Sequence, residues 1–378
     1  MNNFISNYAL NKETKKIKNE LIRNISKVLD HNTYINGPEN LELERKLGKI
    51  VNTKHCIAVS SGTDALLISL IGIGLSEGDE VITTPFTFVS TIEVILSLKA
   101  KPILVDIDRD TFNIDVKKIH RAITKKTKVI IPVSLFGQSA NLKELNKIKK
   151  NFKNISIIED NAQSLMSKHY GKYSNQYADI SCTSFFPTKI LGCFGDGGAI
   201  FLKNKKLADK FRAIRSHGSI NKKDYKILGV SGRMDTIQSS IILTKLKYLN
   251  KSISNRLRIA KIYDKIIDKI NFESNNELIS KPHISKFNKS VYSQYTIKTE
   301  YRNALKKYLY KHNISSSIYY EKLVNSYTLY KSKCYYKDVT VANKITKEVL
   351  SIPINGYQTT EETNYISKII YSFFKKLN

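Results

Sequence analysis

The chain's 378 residues are enough for two domains built around large cores, and an apolar content of 41% excludes a disordered chain. No run of about 18 apolar residues occurs, which excludes a helical membrane span. The net charge of +29, from 62 Lys and Arg against 33 Asp and Glu, raises nucleic-acid binding. The basic residues, however, are spread along the chain, and no zinc-finger or RNA-recognition spacing accompanies them. A general drift toward lysine accounts for the charge better, and its field attracts anionic small molecules in either case.

In chain order, Ile17, Leu21, Ile22, Ile25, Val28 and Leu29 fall at helical spacing. Asn36-Gly37-Pro38-Glu39 reads as a turn and helix start, and Leu41, Leu43, Leu47, Ile50 and Val51 line a second helix. Strands are predicted over 56–59, 81–83, 102–106, 128–133 and 155–158, with helical patterns between them, as over 141–152. That alternation predicts an α/β fold with a mainly parallel sheet covered on both faces. Ligands of such sheets sit at the carboxyl ends of the strands. A helical pattern over 235–270 connects to a smaller α+β domain. That domain has strands over 291–297 and near 316–319, and helices over 304–312, 340–350 and 360–375. The expected division is a large domain of residues 1–249 and a small C-terminal domain of residues 250–378. Cys56, Cys182, Cys193 and Cys334 form no Cys-x-x-Cys pair, and no basic-then-apolar leader pattern opens the chain, so thiols in a reducing cytoplasm are expected.

Three stretches carry candidate chemistry. The first strand ends in Ser60-Ser61-Gly62-Thr63-Asp64, where a helix begins. This is either an ordinary turn with a Ser/Thr cap or an anion site made of free helix N–H groups. The fifth strand ends in Glu159-Asp160-Asn161-Ala162-Gln163, where Asp160 is either a helix cap or a carboxylate aimed into the crevice. Lys189 follows Pro187-Thr188, lies among apolar residues, and precedes Gly192, Gly195, Gly197 and Gly198. Those glycines suit tight turns that a side chain would obstruct. Lys189 is either a surface lysine in a glycine-rich loop or a desolvated amine. Desolvation favours the neutral amine, which can attack an aldehyde and form a Schiff base.

Taken together and in order, these stretches resemble the sugar-nucleotide aminotransferases of the DegT/StrS type, a pyridoxal-phosphate-dependent group of fold type I. The resemblance runs from about Tyr34 to the C-terminus. It rests on Ser61-Gly-Thr-Asp-Ala-Leu66, Thr84-Pro-Phe-Thr-Phe-Val89, Glu159-Asp-Asn-Ala-Gln163, Ser184-Phe-Phe-Pro-Thr-Lys189, Gly195-Asp-Gly-Gly198 and Gly232-Arg-Met-Asp235. It implies that Lys189 holds pyridoxal 5'-phosphate and then moves a proton between substrate and cofactor. Asp160 would pair with the pyridine nitrogen, Gln163 would bond near the ring hydroxyl, and Phe88 would stack on the ring. The N–H groups of Gly62 and Thr63, with the Ser184 hydroxyl, would hold the phosphate.

The resemblance also implies a homodimer in which Ser231-Gly232-Arg233 reaches the neighbouring subunit's site, Ser231 toward the phosphate and Arg233 toward substrate. Serine stands at 231 where the family usually has asparagine. Tyr319-Tyr320 stands where His-Tyr is frequent, and Ser134 where His is common; both departures touch the substrate side.

The implied architecture is a seven-stranded-type sheet in a large domain with a small α+β domain. The implied reaction moves an amino group from L-glutamate to a keto group of a nucleotide-linked sugar. The match leans toward a 3-keto UDP sugar, with a 4-keto dTDP or UDP sugar as the alternative. No metal, nucleic acid or membrane partner is expected. Sugar dehydratases of the same fold replace the lysine by histidine, so Lys189 argues against them. A non-catalytic or nucleic-acid-binding relative is supported only by the charge, and Lys189, Asp160, Gln163 and Ser184 oppose it.

Overall fold

The computed structural model describes residues 4–219 and 224–377. Two helices come first, α1 (Leu10–His31) and α2 (Pro38–Ile50). Pro38 opens α2 because its fixed φ suits the first helical position. Strands and helices then alternate: β1 (His55–Val59), α3 (Gly62–Gly72), β2 (Glu80–Thr83), α4 (Ser90–Ser97), β3 (Lys101–Leu104), α5 (Val116–Ile119), β4 (Thr127–Ile130), α6 (Leu142–Asn151) and β5 (Ser156–Asp160). A short hairpin, β6 (Lys168–His169) and β7 (Lys172–Tyr173), precedes β8 (Ile180–Ser184) and β9 (Gly198–Leu202). Helices α7 (Lys205–Ile214), α8 (Thr236–Leu246) and α9 (Leu249–Ser274) come next. The remainder holds β10 (Asn288–Lys289), β11 (Tyr295–Lys298), α10 (Arg302–Lys311), β12 (Tyr335–Tyr336), α11 (Thr340–Glu348), β13 (Val349–Ile352) and α12 (Thr360–Lys375).

The main sheet has eight strands in the order β1-β9-β8-β5-β4-β2-β3-β12. Every neighbouring pair from β8 to β12 is parallel, and β9 runs antiparallel between β8 and β1. Seven strands form the body expected from the sequence, and β12 adds two residues at the open edge of β3. Side-chain alternation sends Ile57, Val59, Ile158, Ile200 and Leu202 to one face, against Leu66 of α3, Ile95 of α4 and Phe211 of α7. Cys56, Ala58, Ala199 and Phe201 turn to the other face and meet Leu43 of α2 and Ile242 of α8. Ile82, Ile130 and Ile157 meet Leu142 and Leu145 of α6. A second core gathers Tyr263, Tyr295, Leu305, Leu350 and Ile370 from α9, β11, α10, β13 and α12.

Four expectations change. The helix over 235–270 is two helices, because the chain turns at Lys247-Tyr248, whose side chains both bond to Glu20 of α1. The apolar end of the pattern over 340–350 belongs to β13, where Leu350 pairs with Ile297 of β11. The strand near 316–319 reduces to one bridge, Ser317 to Ser351. The strand over 291–297 starts only at Tyr295. No helix among the described residues is long and apolar enough to cross a membrane.

Candidate active site

The sheet register brings the ends of β1 and β8 together. Gly198, the first residue of β9, pairs with Val59 at the end of β1 and with Ser184 at the end of β8. The loops leaving these two strands therefore emerge side by side. A Cβ on Gly198 would lie 2.5 Å from the Ser61 carbonyl oxygen, and one on Gly62 would lie 2.7 Å from the Ser184 Cβ. Only bare backbone allows this approach. Helix α3 starts at that contact. Ser61 caps it by accepting from the Asp64 N–H at 3.0 Å, while the N–H groups of Gly62 and Thr63 enter no hydrogen bond among the described residues. The Ser184 hydroxyl accepts from the Phe186 N–H at 3.2 Å and keeps its own proton to donate. Free first-turn N–H groups, the positive helix end and a hydroxyl form an anion seat.

Strand β5 lies parallel to β8, with Asp160 opposite Cys182. Asp160 is 7% exposed. Its carboxylate accepts from the Thr91 hydroxyl at 2.9 Å and the Ala162 N–H at 3.2 Å. Burial raises its pKa, and those two bonds and the Lys189 charge work against that rise. Its neighbour Glu159 is fully buried and accepts from the Ser134 hydroxyl at 2.6 Å and the Ser181 hydroxyl at 2.8 Å, so Ser134, expected on the substrate side, is instead fully buried behind the strand. Burial raises the Glu159 pKa as well.

After β8 the chain turns back on itself, closed by hydrogen bonds from the Phe185 N–H to the Gly197 oxygen and from the Cys193 N–H to the Phe185 oxygen, both 2.7 Å. Lys189 sits in this loop, its N–H bonded to the Phe186 oxygen at 2.9 Å. A Cβ on Gly192 would come within 2.4 Å of the Pro187 oxygen, so the tight turn expected around the lysine exists. The Lys189 amine makes no hydrogen bond or ion pair among the described residues, and the side chain is half-buried. Burial lowers its pKa, and the Asp160 carboxylate pulls the other way. A half-buried amine in the field of a buried carboxylate fits the desolvated reading better than the surface-lysine one.

Phe88, on the loop between β2 and α4, is 58% exposed. Gln163 accepts from the Phe136 N–H and donates to the Tyr320 hydroxyl, both at 3.0 Å. Tyr320 packs edge-on against Phe86 with ring centroids 5.6 Å apart. Tyr319 bonds to Tyr8 instead. Ser231 is exposed, and its hydroxyl accepts from the Arg233 Nη2 at 2.8 Å. Neither makes a hydrogen bond to Lys189, Asp160 or Gln163 within this chain. Arg233 also keeps a buried Nε without a hydrogen-bond partner among the described residues.

The chain matches the DegT/DnrJ/EryC1/StrS aminotransferase family over residues 15–371. It belongs to that family. Pseudomonas aeruginosa has a relative 38% identical over 94% of this chain and 97% of its own length, a UDP-2-acetamido-2-deoxy-3-oxo-D-glucuronate aminotransferase. The crystal structure of a DegT/DnrJ/EryC1/StrS aminotransferase from Brucella abortus superposes with a TM-score of 0.92, at 34% identity over 99% of this chain and 100% of its own. That of NtdA from Bacillus subtilis, with bound cofactor PMP, superposes at 0.89, with 30% identity over 97% of this chain and 84% of its own. The chain is thus a pyridoxal-phosphate-dependent sugar aminotransferase of this family.

The donor set of this aminotransferase fits that cofactor. Gly62 and Thr63 offer bare N–H groups beside the Ser184 hydroxyl for a phosphate, Asp160 a buried carboxylate for a ring nitrogen, and Lys189 an unengaged amine for an aldehyde. Phe88 presents an open ring face. Sequence reasoning missed Thr91, Glu159 with Ser181, and Tyr8. Thr91 carries no signal, since a threonine in the first turn of a helix is ordinary. Glu159 was visible as an acidic residue in a strand whose neighbours are buried, a place that demands partners.

Proposed function

We propose that this enzyme transfers the amino group of L-glutamate to the keto group of a nucleotide-linked sugar, a UDP sugar oxidised at C3. Glutamate becomes 2-oxoglutarate, taking its keto oxygen from one water, and the carbonyl oxygen of the sugar leaves as another, so that no water is consumed overall. The observation that supports the chemistry is the convergence of three groups at neighbouring strand ends: the desolvated Lys189 amine, the buried Asp160 carboxylate and the unpartnered start of α3 against Ser184. The choice of sugar rests on the 38% identical relative, whose substrate is a UDP-linked 3-oxo sugar acid.

When bound, the cofactor supplies an aldehyde for the amine and a ring that accepts electrons. The protein's residues do the rest. In this reading Gly62, Thr63, Ser184 and the neighbour's Ser231–Arg233 segment bind anionic phosphate, and Arg233 also faces substrate. Phe88 covers one ring face. Gln163 orients the ring, and Tyr320 orients Gln163. Asp160 holds a proton on the ring nitrogen. Lys189, whose pKa burial lowers, would serve as the base that takes the proton from the substrate carbon and would give it up again on the cofactor side. Tyr319 and Tyr320 lie on the sugar side.

Mixing the purified protein with L-glutamate should change its absorbance and release 2-oxoglutarate. Borohydride reduction and peptide mapping should place a pyridoxyl label on Lys189. A panel of 3-keto and 4-keto sugar nucleotides, read by mass spectrometry, then identifies the acceptor. A label on another lysine would sink the site, and amination of only the 4-keto compounds would sink the choice of sugar.

A further inference from the structure

The segment before α1 is part of the wall that carries Tyr319. Residues 4–8 run alongside 313–319: the Ile5 N–H bonds to the Asn313 oxygen at 2.8 Å, and the Ser315 N–H to the Ile5 oxygen at 2.9 Å. The Asn7 N–H bonds to the Ser315 hydroxyl at 3.0 Å, and its amide to the Ser317 hydroxyl at 2.8 Å. Tyr8 completes the row, its hydroxyl bonded to that of Tyr319. From there Tyr320 continues to Gln163 at 3.0 Å. A line of hydrogen-bonding side chains thus leads from the start of the described chain to the centre of the site.

We infer that Tyr8 is a specificity-determining residue for the sugar acceptor, fixing the Tyr319 hydroxyl so that the two phenols present one joint hydrogen-bonding edge to an uncharged oxygen substituent of the sugar ring. This rests on the reading that Tyr319 lies on the sugar side. The chemistry of the edge comes from its neighbours. Two phenols that share one hydrogen bond keep one O–H to donate and lone pairs to accept. The nearby Arg256 turns its Nη1 to the carbonyl oxygens of Tyr292, Ser293 and Ile354, 2.9–3.3 Å away, its buried Nε has no partner among the described residues, and it makes no hydrogen bond to either phenol. Burial and the bond to Tyr319 lift the Tyr8 phenol above its usual range, so it stays neutral. A neutral edge suits a hydroxyl or acylamino oxygen rather than a carboxylate. The N-terminal segment carries this side chain because the wall around 313–319 leaves its outer edge open for pairing.

Tyr8→Phe and Tyr319→Phe keep the rings and remove one hydroxyl each. Calorimetric titration of the holoenzyme with a UDP-linked 3-amino sugar, the proposed product, and with UDP alone reads the edge directly. Each single variant should bind the amino sugar about tenfold more weakly, the size of one neutral hydrogen bond. UDP binding should change less than twofold. The double variant should be no weaker than Tyr319→Phe alone, because the hydroxyls act as a unit. The glutamate half-reaction, read by cofactor absorbance, is the structural control. A comparable loss there, or an unaltered amino-sugar Kd in Tyr8→Phe, overturns this assignment. Wild-type protein that binds neither UDP nor the amino sugar overturns the nucleotide-sugar reading, and this one with it.

Discussion

Glu159 and Asp160 are adjacent acids with opposite duties, separated by the alternation of β5. Asp160 ends the strand at the site, whereas Glu159 turns into the protein and is held by Ser134 and Ser181. Asp160→Asn keeps the shape and the Thr91 contact but removes the charge. Cofactor should still bind, and turnover should fall by about a hundredfold or more, the range seen when one preorganised electrostatic partner is lost. Steady-state kinetics with saturating cofactor checks this, and a native rate would refute it. Glu159 makes a prediction about pH. Burial raises its pKa, so the folded state holds its proton more tightly than the unfolded chain does. That contribution to stability is present below the usual carboxylate range and is lost as pH rises through the raised value. Glu159→Gln cannot titrate. Its melting temperature should exceed that of the wild type near neutral pH, and the gap should shrink as pH falls into the carboxylate range. Melting curves with a gap independent of pH would show that ionisation of Glu159 is not the cause.

At the scale of elements, the site is set by two close backbone approaches. A methyl on Gly62 would force α3 away from β8, because the Ser184 Cβ is 2.7 Å from it and belongs to a strand that cannot retreat. Overpacking of this kind costs about 1–3 kcal/mol, and here the displaced groups are the anion seat itself. Gly62→Ala should therefore weaken cofactor binding by about tenfold or more in an absorbance titration. Gly195→Ala should bind cofactor normally, since its Cβ would meet only the Gln238 amide at 3.3 Å, the end of a movable side chain. Equal losses in both variants would show that loop flexibility, not the α3–β8 contact, governs binding.

The same contact explains what the sequence disclosed. Strand, small-residue turn and helix at Ser60–Asp64 are local features, and they were legible. That Ser184 stands beside Gly62 is a matter of sheet order, because β9 is inserted antiparallel between β1 and β8, and no local pattern reports it. The helix–strand error at 349–350 has a similar source. Val349-Leu350-Ser351-Ile352 is wholly buried, so its apolar run looked like the end of the helix before it. We take the junction of α8 and α9 as the division between the two domains. The second core gathers almost wholly beyond it, although Ile5 packs there and β12 crosses back to the main sheet.

The whole molecule leaves one part of the expected site without its partner. Ser231 and Arg233 bond to each other, Arg233 has a buried Nε with no acceptor among the described residues, and the chain just before them exposes 68% of Tyr225 and 84% of Leu228. We propose that a second copy of this chain covers these side chains and receives the polar segment beside them. In an isologous two-fold dimer the two copies of this segment would cover each other's sites reciprocally, over an interface of more than about 2,000 Å². Two inactive variants test the arrangement. Lys189→Ala damages the site within its own chain, whereas Arg233→Ala would damage the site of its neighbour. A mixed dimer then holds one site with both lesions and one with neither. Co-expressed in equal amounts, the variants should recover roughly a quarter of wild-type activity, because about half the dimers are mixed and each has one intact site of two. Mixed dimers verified by differential tags that stay as inactive as the parents would place Arg233 in the site of its own chain.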